Sequence, residues 1–571
     1  MKNGAVAKVF EDIADLLELK GEIAFKVRAY QRAARAIESL PLELEQMLAA
    51  DKLRNIPGVG EAIAKKITEL VTSGRLEYYE KLKAEFPEGI MALLDIQGIG
   101  PKTAMRLSSE LGVSNVDDLE AAVRNGKVAA LYRLGDKTAE NILRHIQALR
   151  HKEQRVPIGE ALPVVEGILE ALKERSDVHN LVAAGSLRRF KETIGDIDIM
   201  GTSDHPEAVL RAFVQLPQVE DVLVQGSTKA SVVVAGGLQV DLRMVEHDCF
   251  GSLLQYFTGS KDHNIALRER AIRQGLKISE YGITTLKTGE TEKFLIEEGY
   301  YRRLGLQYIP PELREGGDEI ERAERGELPT LIELPDLRGD LHVHSDWSDG
   351  HDSIEALALG ARERGYRYLA ITDHSAGRGI AHGLSSERLR EQVAEIRALN
   401  ERLEGIELLA GIELDIRADG SLDFPDELLA ELDIVIAAVH SAMNQEGEKM
   451  TRRVLRALEN PHVDVLAHPT CRLLGEREPV ELDMEEVFKA ALRTNTALEI
   501  NAMPSRLDLK DIHAFRAREL GVKLILGTDA HSVAQLDLMR FGVGVARRGW
   551  CRAEDILNTR PVEEVKAFLR R

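Results

Sequence analysis

Apolar and polar positions follow two different patterns along this chain of 571 residues. Amphipathic helical segments dominate the first part, beginning with MKNGAVAKVFEDIADLLELKGE at residues 1–22. From residue 340 onward, helical stretches alternate with short β-rich runs, namely DLHVH, YLAITDH, LLAGIELD, IVIAAVH, DVLAHP, ALEINA and KLILGTDAH. This alternation predicts a parallel sheet, and seven such runs suggest a barrel close to the (βα)8 type.

Composition bounds the class of protein. A chain with 44% hydrophobic and 30% charged residues is typical of soluble proteins, and its length predicts roughly three or four domains. No apolar run approaches the roughly 18 residues that a membrane helix needs. The acidic N-terminal helix is unlike a secretory signal, and Cys249, Cys471 and Cys551 are too widely spaced for a disulfide framework. We therefore expect a cytoplasmic protein without membrane partners, and we expect a monomer.

The net charge of −20 argues at first against nucleic acid, but its distribution weakens that argument. Residues 1–150 carry 22 basic and 22 acidic side chains, so this part is neutral. A neutral domain can still contact DNA if it uses backbone amides. The acidic residues accumulate in the C-terminal part, which suits a site that gathers divalent metal ions.

Three similar segments recur in the helical part: IPGVGEAIAKKITELV at 56–71, IQGIGPKTAMRLSSEL at 96–111 and LYRLGDKTAENILRHI at 131–146. Each has a Gly-bearing turn before an amphipathic helix, which predicts helix-hairpin-helix units whose backbone amides face a DNA phosphate. The predicted DNA contacts in the first two copies are Gly58, Gly60, Gly98, Gly100 and Lys102. Gly-capped helix junctions without DNA contact are the alternative, and the third copy keeps only Gly135.

A nucleotidyltransferase pattern follows in NLVAAGSLRRFKETIGDIDIMG at 180–201. An apolar strand leads to Gly185 and Ser186 at a predicted helix start, where phosphates bind well, and Arg188 and Arg189 are expected to supply positive charge to a phosphate there. Asp196 and Asp198 lie two apart on a strand and therefore project to the same side, and Asp241 in LQVDLRMV offers a third carboxylate. Such carboxylates can hold two Mg²⁺ ions for an in-line phosphoryl displacement, whereas a lone D-x-D is often only a solvated strand edge.

These motifs, with YFTGSKDHNIALRERA further on, resemble the X-family DNA polymerases, the group of DNA polymerase beta, over residues 1–315. The resemblance implies that Asp196, Asp198 and Asp241 bind catalytic Mg²⁺. It implies a nucleotide site of Gly185, Ser186, Arg189, Tyr256, Phe257, Gly259 and Asn264, and a template contact at Arg268. The family has an aspartate where this chain has Lys261, so the contact on the base is expected to differ.

The same resemblance implies a 5′-deoxyribose phosphate lyase in the N-terminal domain. Lys66 stands where the family keeps its Schiff-base lysine, and Tyr30 is expected nearby. A second lysine of the family pattern is Ala62 here, which weakens the charge around a 5′-phosphate. A role for Lys66 as a simple phosphate contact remains the alternative.

Six of the seven β-rich runs in the C-terminal half end in residues that commonly bind metals, and one more follows in a loop. In parallel barrels the carboxyl ends of the strands meet at the active site. Histidine nitrogens combined with carboxylate oxygens favour Zn²⁺, Mn²⁺ or Fe over Ca²⁺, and three ions could be accommodated. The predicted metal ligands are His342, His344, Asp349, His374, Glu413, His440, His468, Asp529 and His531.

This half resembles the polymerase and histidinol phosphatase (PHP) domain over residues 338–571, with all nine ligand positions intact. The resemblance implies a phosphoesterase that uses Zn²⁺ or Mn²⁺. Arg378, Arg472 and Arg506 lie in predicted loops from which they could hold substrate phosphates, although surface arginines are the alternative.

The expected fold is multidomain, with all-α helix-hairpin-helix domains, an α+β palm with a small thumb, and a distorted, TIM-like (βα)7 barrel. The segment at 316–337 is rich in Pro, Gly and Glu, which predicts a solvated linker. The expected boundaries are 1–80 for the lyase-like helical domain, 81–152 for the fingers, 153–246 for the palm, 247–315 for the thumb, 316–337 for the linker and 338–571 for the barrel.

The expected function is gap-filling DNA synthesis with dNTPs on gapped or nicked DNA, combined with processing of DNA 3′ ends. That processing would be a 3′–5′ exonuclease, a 3′-phosphatase or an abasic-site endonuclease. Three alternatives stay open: a DNA-binding scaffold with a degenerate polymerase site, a barrel that hydrolyses a small phosphoester, and nucleotide addition without a template.

Overall fold

The computed structural model describes most of the chain. It covers residues 3–38, 40, 44–86, 90–93, 96, 99, 101–131, 135, 139, 142–143, 146, 155–175, 177–377 and 381–569. The chain forms two compact units, Met1–Arg155 with Val233–Gln239 and Val156–Val232 with Val240–Arg571.

The N-terminal unit is helical, as its amphipathic pattern predicts. Its helices bury one apolar face each around a common core that includes Phe10, Leu17, Ile37 and Ile67, all at most 1% exposed. The described helices are Asn3–Leu19, Ala24–Glu38, Leu44–Ala49, Glu61–Ser73, Glu77–Lys83, Pro101–Leu111 and Val116–Arg124.

A five-stranded sheet forms the palm. Its strand order is β2-β4-β7-β6-β5, with β2 antiparallel to β4. On β7 buried residues alternate with partly buried ones, so that Val240 and Leu242 enter the core while Asp241 does not. The palm elements are β1 (Val156–Pro157), helix Ile158–Arg175, β2 (Asn180–Ala183), helix Gly185–Arg188, β3 (Thr193–Ile194), β4 (Asp196–Thr202), helix Pro206–Val214, β5 (Val219–Gln225), β6 (Lys229–Val234) and β7 (Leu238–Val245).

The thumb packs helices against a small three-stranded sheet of order β10-β9-β8. Tyr300, Tyr301 and the fully buried Arg314 lie at its centre, and Arg314 is neutralised by Glu297 at 2.6 Å. Its elements are helices Phe250–Thr258 and Lys261–Arg273, β8 (Leu276–Ser279), β9 (Gly282–Thr285), β10 (Thr291–Glu292) and helix Glu297–Arg303.

The segment 316–337 buries one apolar side and exposes its polar side, so the expectation of a solvated linker is wrong for its apolar residues. It contains the helix Glu319–Arg325, and the Glu319 carboxylate lies 2.7 Å from the buried His263 of the thumb. Apolar residues of the segment, including Ile320 and Leu331, share one core with the thumb and with Trp550 of the C-terminal domain. The many Glu residues of the segment favoured a solvated linker. Its apolar residues nevertheless recur at helical spacing, which is typical of a helix with one buried side.

Seven parallel strands form the C-terminal barrel, in the sequential order β11 to β17. The first and last strands meet through hydrogen bonds from His344 N to Ala530 O (2.8 Å) and from Asp529 N to His342 O (2.9 Å). The predicted fold class is therefore confirmed. The strands are β11 (Gly339–Val343), β12 (Tyr368–Ile371), β13 (Glu407–Asp415), β14 (Ile434–Ala438), β15 (Val465–Leu466), β16 (Ala497–Asn501) and β17 (Leu524–Gly527).

Helices cover the outside of this barrel, because strands buried on both faces need a second layer. They are Ile354–Glu363, Ser386–Arg402, Asp426–Leu429, Gly447–Leu458, Met484–Thr494, Asp511–Leu520, Met539–Arg548 and Val562–Leu569. Within the described parts of the chain, none of the helices combines the length and the apolar character that crossing a membrane requires.

Candidate active sites

Three carboxylates lie together on the palm sheet, on the adjacent strands β4 and β7. Asp196 and Asp198 stand on β4, and Asp241 stands on β7, all three partly buried. Burial, together with the charges of Asp196 and Asp241, raises the pKa of Asp198 to about 7. A divalent cation between these oxygens would relieve that repulsion, so the donor set fits such an ion.

A positive side chain already lies at this site. The Lys229 ammonium on β6 is 2.6 Å from Asp241 Oδ2 and lowers the pKa of Asp198. No pattern in the sequence pointed to this lysine, because its neighbour across the sheet is known only once the strands are paired. Lys229 balances part of the acidic charge.

The turn after β2 approaches the carboxylates closely. Gly185 has φ +61°, and a β-carbon there would lie 2.8 Å from Asp198 Oδ2. Only glycine therefore fits without displacing the aspartate. Ser186 follows at the start of the short helix Gly185–Arg188, beside this carboxylate cluster.

The two arginines of this turn have different partners. Arg188 is committed to the thumb, where it donates to Glu297 Oε2 and Thr258 Oγ1, both at 2.6 Å. Arg189 donates to the carbonyl of Thr258 and to Glu315 Oε1, the latter at 3.2 Å. The expectation that both arginines supply charge to a phosphate is therefore wrong for Arg188, which holds the palm against the thumb.

The predicted thumb residues of the nucleotide site lie at the junction of two helices. Tyr256 and Phe257 pack edge to face, with ring centroids 5.4 Å apart. Asn264 donates to the carbonyl of Tyr256 at 2.7 Å, which fixes its amide group. Gly259 lies between the helices, where a β-carbon would come within 3.2 Å of Arg189 Nη1.

Two further positions flank this junction on the helix Lys261–Arg273. Lys261 and Arg268 are exposed on its surface. Their side chains are accessible to a large polyanion, and the structure gives neither of them a role in the core.

The carboxyl ends of the barrel strands bring all nine predicted metal ligands together. Glu413 is central: one of its oxygens lies 2.9 Å from His468 Nε2 and 3.1 Å from His440 Nε2, and the other lies 2.8 Å from His374 Nδ1. His344 Nε2 lies 3.1 Å from Asp529 Oδ1 and 3.2 Å from His342 Nε2.

These donors form overlapping groups whose ligand atoms lie within 4.8 Å of one another. The groups are His344, Asp349, His374 and His531; His342, His344 and Asp529; and His374, Glu413 and His440. Among the described residues, the buried nitrogens His344 Nδ1, His440 Nδ1 and His468 Nδ1 make no hydrogen bond. Buried imidazoles and carboxylates at this density fit divalent metal ions.

The pKa values in the barrel site are set by burial and by the contacts between carboxylates and imidazoles. Burial opposes ionisation of Glu413, but the neighbouring histidines outweigh it and hold the pKa of this carboxyl well below its usual range. Burial and the charge of His374 lower the pKa of His344 to about 3. His531 is less enclosed, and Asp349 and Asp529 overcome its burial and raise its pKa to about 9.

The sequence missed a supporting carboxylate. Glu499 on β16 is fully buried; its Oε1 lies 2.7 Å from His342 Nδ1, and its Oε2 accepts a hydrogen bond from the backbone N–H of His468. Carboxylates in this position orient a ligating histidine through its second nitrogen. Glu499 lies two residues before the end of β16, as Glu413 does on β13, so its place near a strand end was an available signal that went unused in the run ALEINA.

The arginines predicted to bind a substrate phosphate differ in their positions and partners. Arg506 lies at the site, with Nε 3.6 Å from Asp529 Oδ2. Arg472 is buried away from it, where it pairs with Glu192 of the palm at 2.9 Å and donates to the carbonyl of Leu507. The phosphate expectation for Arg472 is therefore wrong, because a buried guanidinium needs a fixed carboxylate. Arg378 lies outside the described residues.

In the N-terminal unit, Gly58 has φ +80° and Gly60 caps the helix Glu61–Ser73, as the helix-hairpin-helix prediction requires. The first-turn amides of such a helix lack partners within it and can face an anion. Gly98 and Gly100 of the second copy lie outside the described residues, and so does the side chain of Lys102.

Lys66 lines a shallow recess together with Lys65 and Lys81. Its ammonium lies 4.7 Å from the ring centroid of Tyr78. Tyr78 in turn stacks on Tyr30, whose ring belongs to the core and is 6% exposed. The ring next to the Lys66 ammonium is therefore that of Tyr78, and Tyr30 is stacked on Tyr78.

The palm and barrel together define a class of protein, a nucleotidyltransferase joined to a histidine-rich phosphoesterase-type barrel. Family models match four parts of the chain: a helix-hairpin-helix domain (1–76), a SAM-like helix-hairpin-helix tandem (90–148), the DNA polymerase beta thumb (253–315) and the PHP domain (340–503).

The chain is 42% identical over 568 residues to the DNA polymerase/3′-5′ exonuclease PolX of Bacillus subtilis (strain 168), with 99% of each chain covered. It therefore belongs to the X-family DNA polymerases that carry a C-terminal PHP domain. Shorter relatives match about two-fifths of the chain. A probable phosphatase of Thermoanaerobacter sp. (strain X514) is 31% identical over 247 residues, covering 40% of this chain and 94% of the relative.

Proposed function

We propose that this chain fills short gaps in DNA during repair and trims or unblocks DNA 3′ ends at its barrel. As a member of its family, the chain is a DNA polymerase with a PHP-associated 3′–5′ exonuclease activity, uses DNA and dNTPs, and depends on divalent metal ions. The observation that supports two separate active sites is the presence, in one compact unit, of the palm carboxylates and of the nine clustered barrel ligands.

For synthesis, Asp196, Asp198 and Asp241 would hold Mg²⁺. When bound, the ions stabilise the charge on the attacking and leaving oxygens of the displacement. The turn at Gly185 and Ser186 binds the triphosphate, and Arg189 supplies positive charge. The remaining proposed contacts are Tyr256, Phe257 and Gly259 beside the sugar, Asn264 on the incoming nucleotide and Arg268 on the template.

For hydrolysis, the barrel ligands would hold Zn²⁺ or Mn²⁺, up to three ions. When bound, these ions activate water and neutralise the phosphate. The chain's own contributions are orientation and charge: Glu499 fixes the ring of His342, and Arg506 faces a phosphate beside Asp529. The substrate is a DNA 3′ end, which this site processes as a 3′–5′ exonuclease, an abasic endonuclease or a 3′-phosphatase.

The remaining expectations extend the proposal. Gly58, Gly60, Gly98, Gly100 and Lys102 contact the DNA backbone, and the substrate is gapped or nicked DNA. The protein acts as a cytoplasmic monomer. The six segment boundaries given above stay a prediction as well, except that the linker is packed.

A 5′-deoxyribose phosphate lyase at Lys66 is a second candidate activity. The exposed recess around Lys66, next to the helix-hairpin-helix turn, favours it. Against it, Glu61, Glu69 and Glu77 line the same recess and offset its lysines. Borohydride trapping of the enzyme on an incised abasic site tests it. Lys66→Ala should abolish the trapped species, whereas Lys65→Ala, an exposed neighbour paired with Glu61, should not.

The test of the main proposal uses a 5′-labelled primer in a one-nucleotide gap, with Mg²⁺ or Mn²⁺, with and without dNTPs. We expect Asp198→Asn to abolish lengthening and keep shortening, and His344→Ala to do the reverse. Asp221→Asn, on the exposed strand β5, is the matched control for loss of a carboxylate. Loss of both activities in one folded, metal-loaded variant contradicts the two-site proposal.

A small phosphoester is the alternative substrate for the barrel, because relatives named probable phosphatases match about two-fifths of this chain, close to the length of the barrel domain. A competition between such a phosphoester and labelled DNA ends distinguishes the two by their kcat/KM. Omitting the template strand from the gap assay tests the template-independent alternative. Incorporation of dNTPs by the wild type contradicts the scaffold alternative.

A further inference from the structure

The palm turn that carries Ser186 and Arg189 is anchored on its far side to the barrel domain. Phe190, the next residue, has φ +56°, a conformation that a phenylalanine adopts only when its surroundings enforce it. Its ring lies 6.0 Å from the ring of Phe541, which belongs to the barrel-domain helix Met539–Arg548. The end of the nucleotide turn is thus inserted into another domain.

Gly544 on that helix makes room for the ring. A β-carbon at Gly544 would lie 2.1 Å from Phe190 Cε1, far inside contact distance. Glycine is less favourable than alanine inside a helix, so its presence in mid-helix calls for a steric reason. The Phe190 ring occupies the space that the missing side chain of Gly544 leaves, and this contact is named the Phe190–Gly544 slot.

Arg548 at the end of the same helix holds the backbone of the turn. Its side chain is 7% exposed, and Nη1 donates both to the carbonyl of Arg189 (2.7 Å) and to Glu315 Oε1 (2.8 Å). Its Nε and Nη2 both lie 2.7 Å from Asp511 Oδ2, which orients the guanidinium from the barrel side. A buried arginine with a fixed carboxylate on each side is a rigid connector.

Glu315 links this connector to the side chain of Arg189. The same Oε1 that accepts from Arg548 also accepts from Arg189 Nε, at 3.2 Å. The direction of the Arg189 guanidinium therefore depends on Glu315, and the position of Glu315 depends on Arg548. One residue of the barrel domain contacts both the main chain of Arg189 and the partner of its side chain.

We propose that Arg548 and the Phe190–Gly544 slot are positioning elements for nucleotide binding at the polymerase site. Docking of the barrel domain holds the turn in the geometry that binds the triphosphate. This inference rests on the proposed triphosphate role of Ser186 and Arg189. It assigns to the barrel domain a contribution to DNA synthesis that is separate from its own hydrolysis.

The test measures dNTP KM and kcat for primer extension by the full-length, metal-loaded protein. Arg548→Met should raise the dNTP KM about tenfold, since a misplaced binding group weakens binding, and should change kcat less than about threefold. Arg548→Lys, which keeps the charge but not the fork of donors, should recover part of the loss. Hydrolysis at the DNA 3′ end should stay within about twofold of wild type.

Arg540→Met is the matched control. Arg540 lies on the same helix and also reaches the palm, but it pairs with Glu166 at 2.8 Å instead of contacting the nucleotide turn. Its loss should leave the dNTP KM unchanged. Because Arg548→Met removes a buried cation that contacts both Asp511 and Glu315 and can prevent folding, Gly544→Ala provides a second route. It displaces the Phe190 ring and should raise the dNTP KM in the same direction.

Arg189→Ala separates the two levels of the proposal. If Arg189→Ala raises the dNTP KM while Arg548→Met and Gly544→Ala do not, the inference is overturned and the proposed nucleotide site stands. If Arg189→Ala leaves the dNTP KM unchanged, the proposed nucleotide site fails and the inference fails with it. Equal losses of kcat and of hydrolysis in Arg548→Met show a structural support only, which also overturns the inference.

Discussion

The palm site and the barrel site both bring several ionisable side chains close together, but their acidic charge is compensated in different ways. The palm gathers three carboxylates with Lys229 as a nearby cation, and the pKa of Asp198 rises to about 7 because burial and like charge oppose its ionisation. In the barrel, histidines surround Glu413 and hold the pKa of its carboxyl well below the usual range.

The difference teaches how each site depends on its metal ions. Without cations the palm carboxylates repel one another, so part of the free energy for holding them together must come from the ions and the substrate. The barrel ligands compensate one another through contacts such as Glu413 with His374 at 2.8 Å, so their arrangement is largely formed in advance. We therefore expect the palm to bind its ions together with the substrate, and the preformed barrel site to hold its ions tightly and to depend on each central ligand.

The largest expected effect is at the centre of the barrel. Glu413→Gln removes the charge of the carboxylate that lies between His374, His440 and His468, and we expect 3′–5′ hydrolysis to fall by more than about 10³-fold. Primer extension should stay within about twofold of wild type. Glu431→Gln, an exposed carboxylate paired with Arg390, is the matched control and should change neither rate. An equal fall in extension would remove the distinction between the sites.

Removal of metal ions should affect the two sites unequally. An ion at 100 times its Kd stabilises the fold it binds by about 2.7 kcal/mol, which is visible as a shift in thermal unfolding. We expect a chelator to lower the Tm of the wild type and of Asp198→Asn alike, and to lower that of Glu413→Gln much less. Calorimetry with and without chelator measures this, and an unchanged wild-type Tm would contradict a metal-stabilised barrel.

A smaller effect is expected at Glu499. Substitution of a carboxylate that orients a ligating histidine costs about 10- to 100-fold in metal affinity. We therefore expect Glu499→Gln to hydrolyse DNA ends only at raised metal concentration, with a near-normal rate at saturation. Titration of activity with Mn²⁺ measures this, and Glu519→Gln, at an exposed position of the helix Asp511–Leu520, is the control. A rate that excess metal does not restore would instead make Glu499 part of the reaction chemistry.

The smallest effect is expected at Lys229 of the palm. Its ammonium competes with a divalent cation for Asp241, at 2.6 Å. Lys229→Met should lower the Mg²⁺ concentration for half-maximal extension by about two- to fourfold, in keeping with a partly solvated charge pair. A titration of extension rate with Mg²⁺ at saturating dNTP measures the shift. If the required concentration rises instead, Lys229 supports the site.

Local patterns in the sequence were sufficient for the fold class and for bringing the right side chains near one another. Two-residue spacing on β4 sets Asp196 and Asp198 toward the same side, and the alternation of strands and helices predicted the barrel. The same local reasoning failed for Arg188 and Arg472, which were assigned to phosphates but pair with Glu297 and Glu192. In the sequence, an arginine that binds a substrate phosphate looks the same as an arginine that pairs with a carboxylate of another domain.

The sequence by itself determined the elements, their order and the ends of strands at which ligands occur, because these depend on periodicity within a few residues. Only the tertiary structure decided which distant groups meet: Glu499 with His342, Lys229 with Asp241, Tyr78 with Lys66, and Arg548 with the turn at Arg189. Each of these contacts joins residues on separate elements, and its formation depends on packing between elements, which no local spacing encodes.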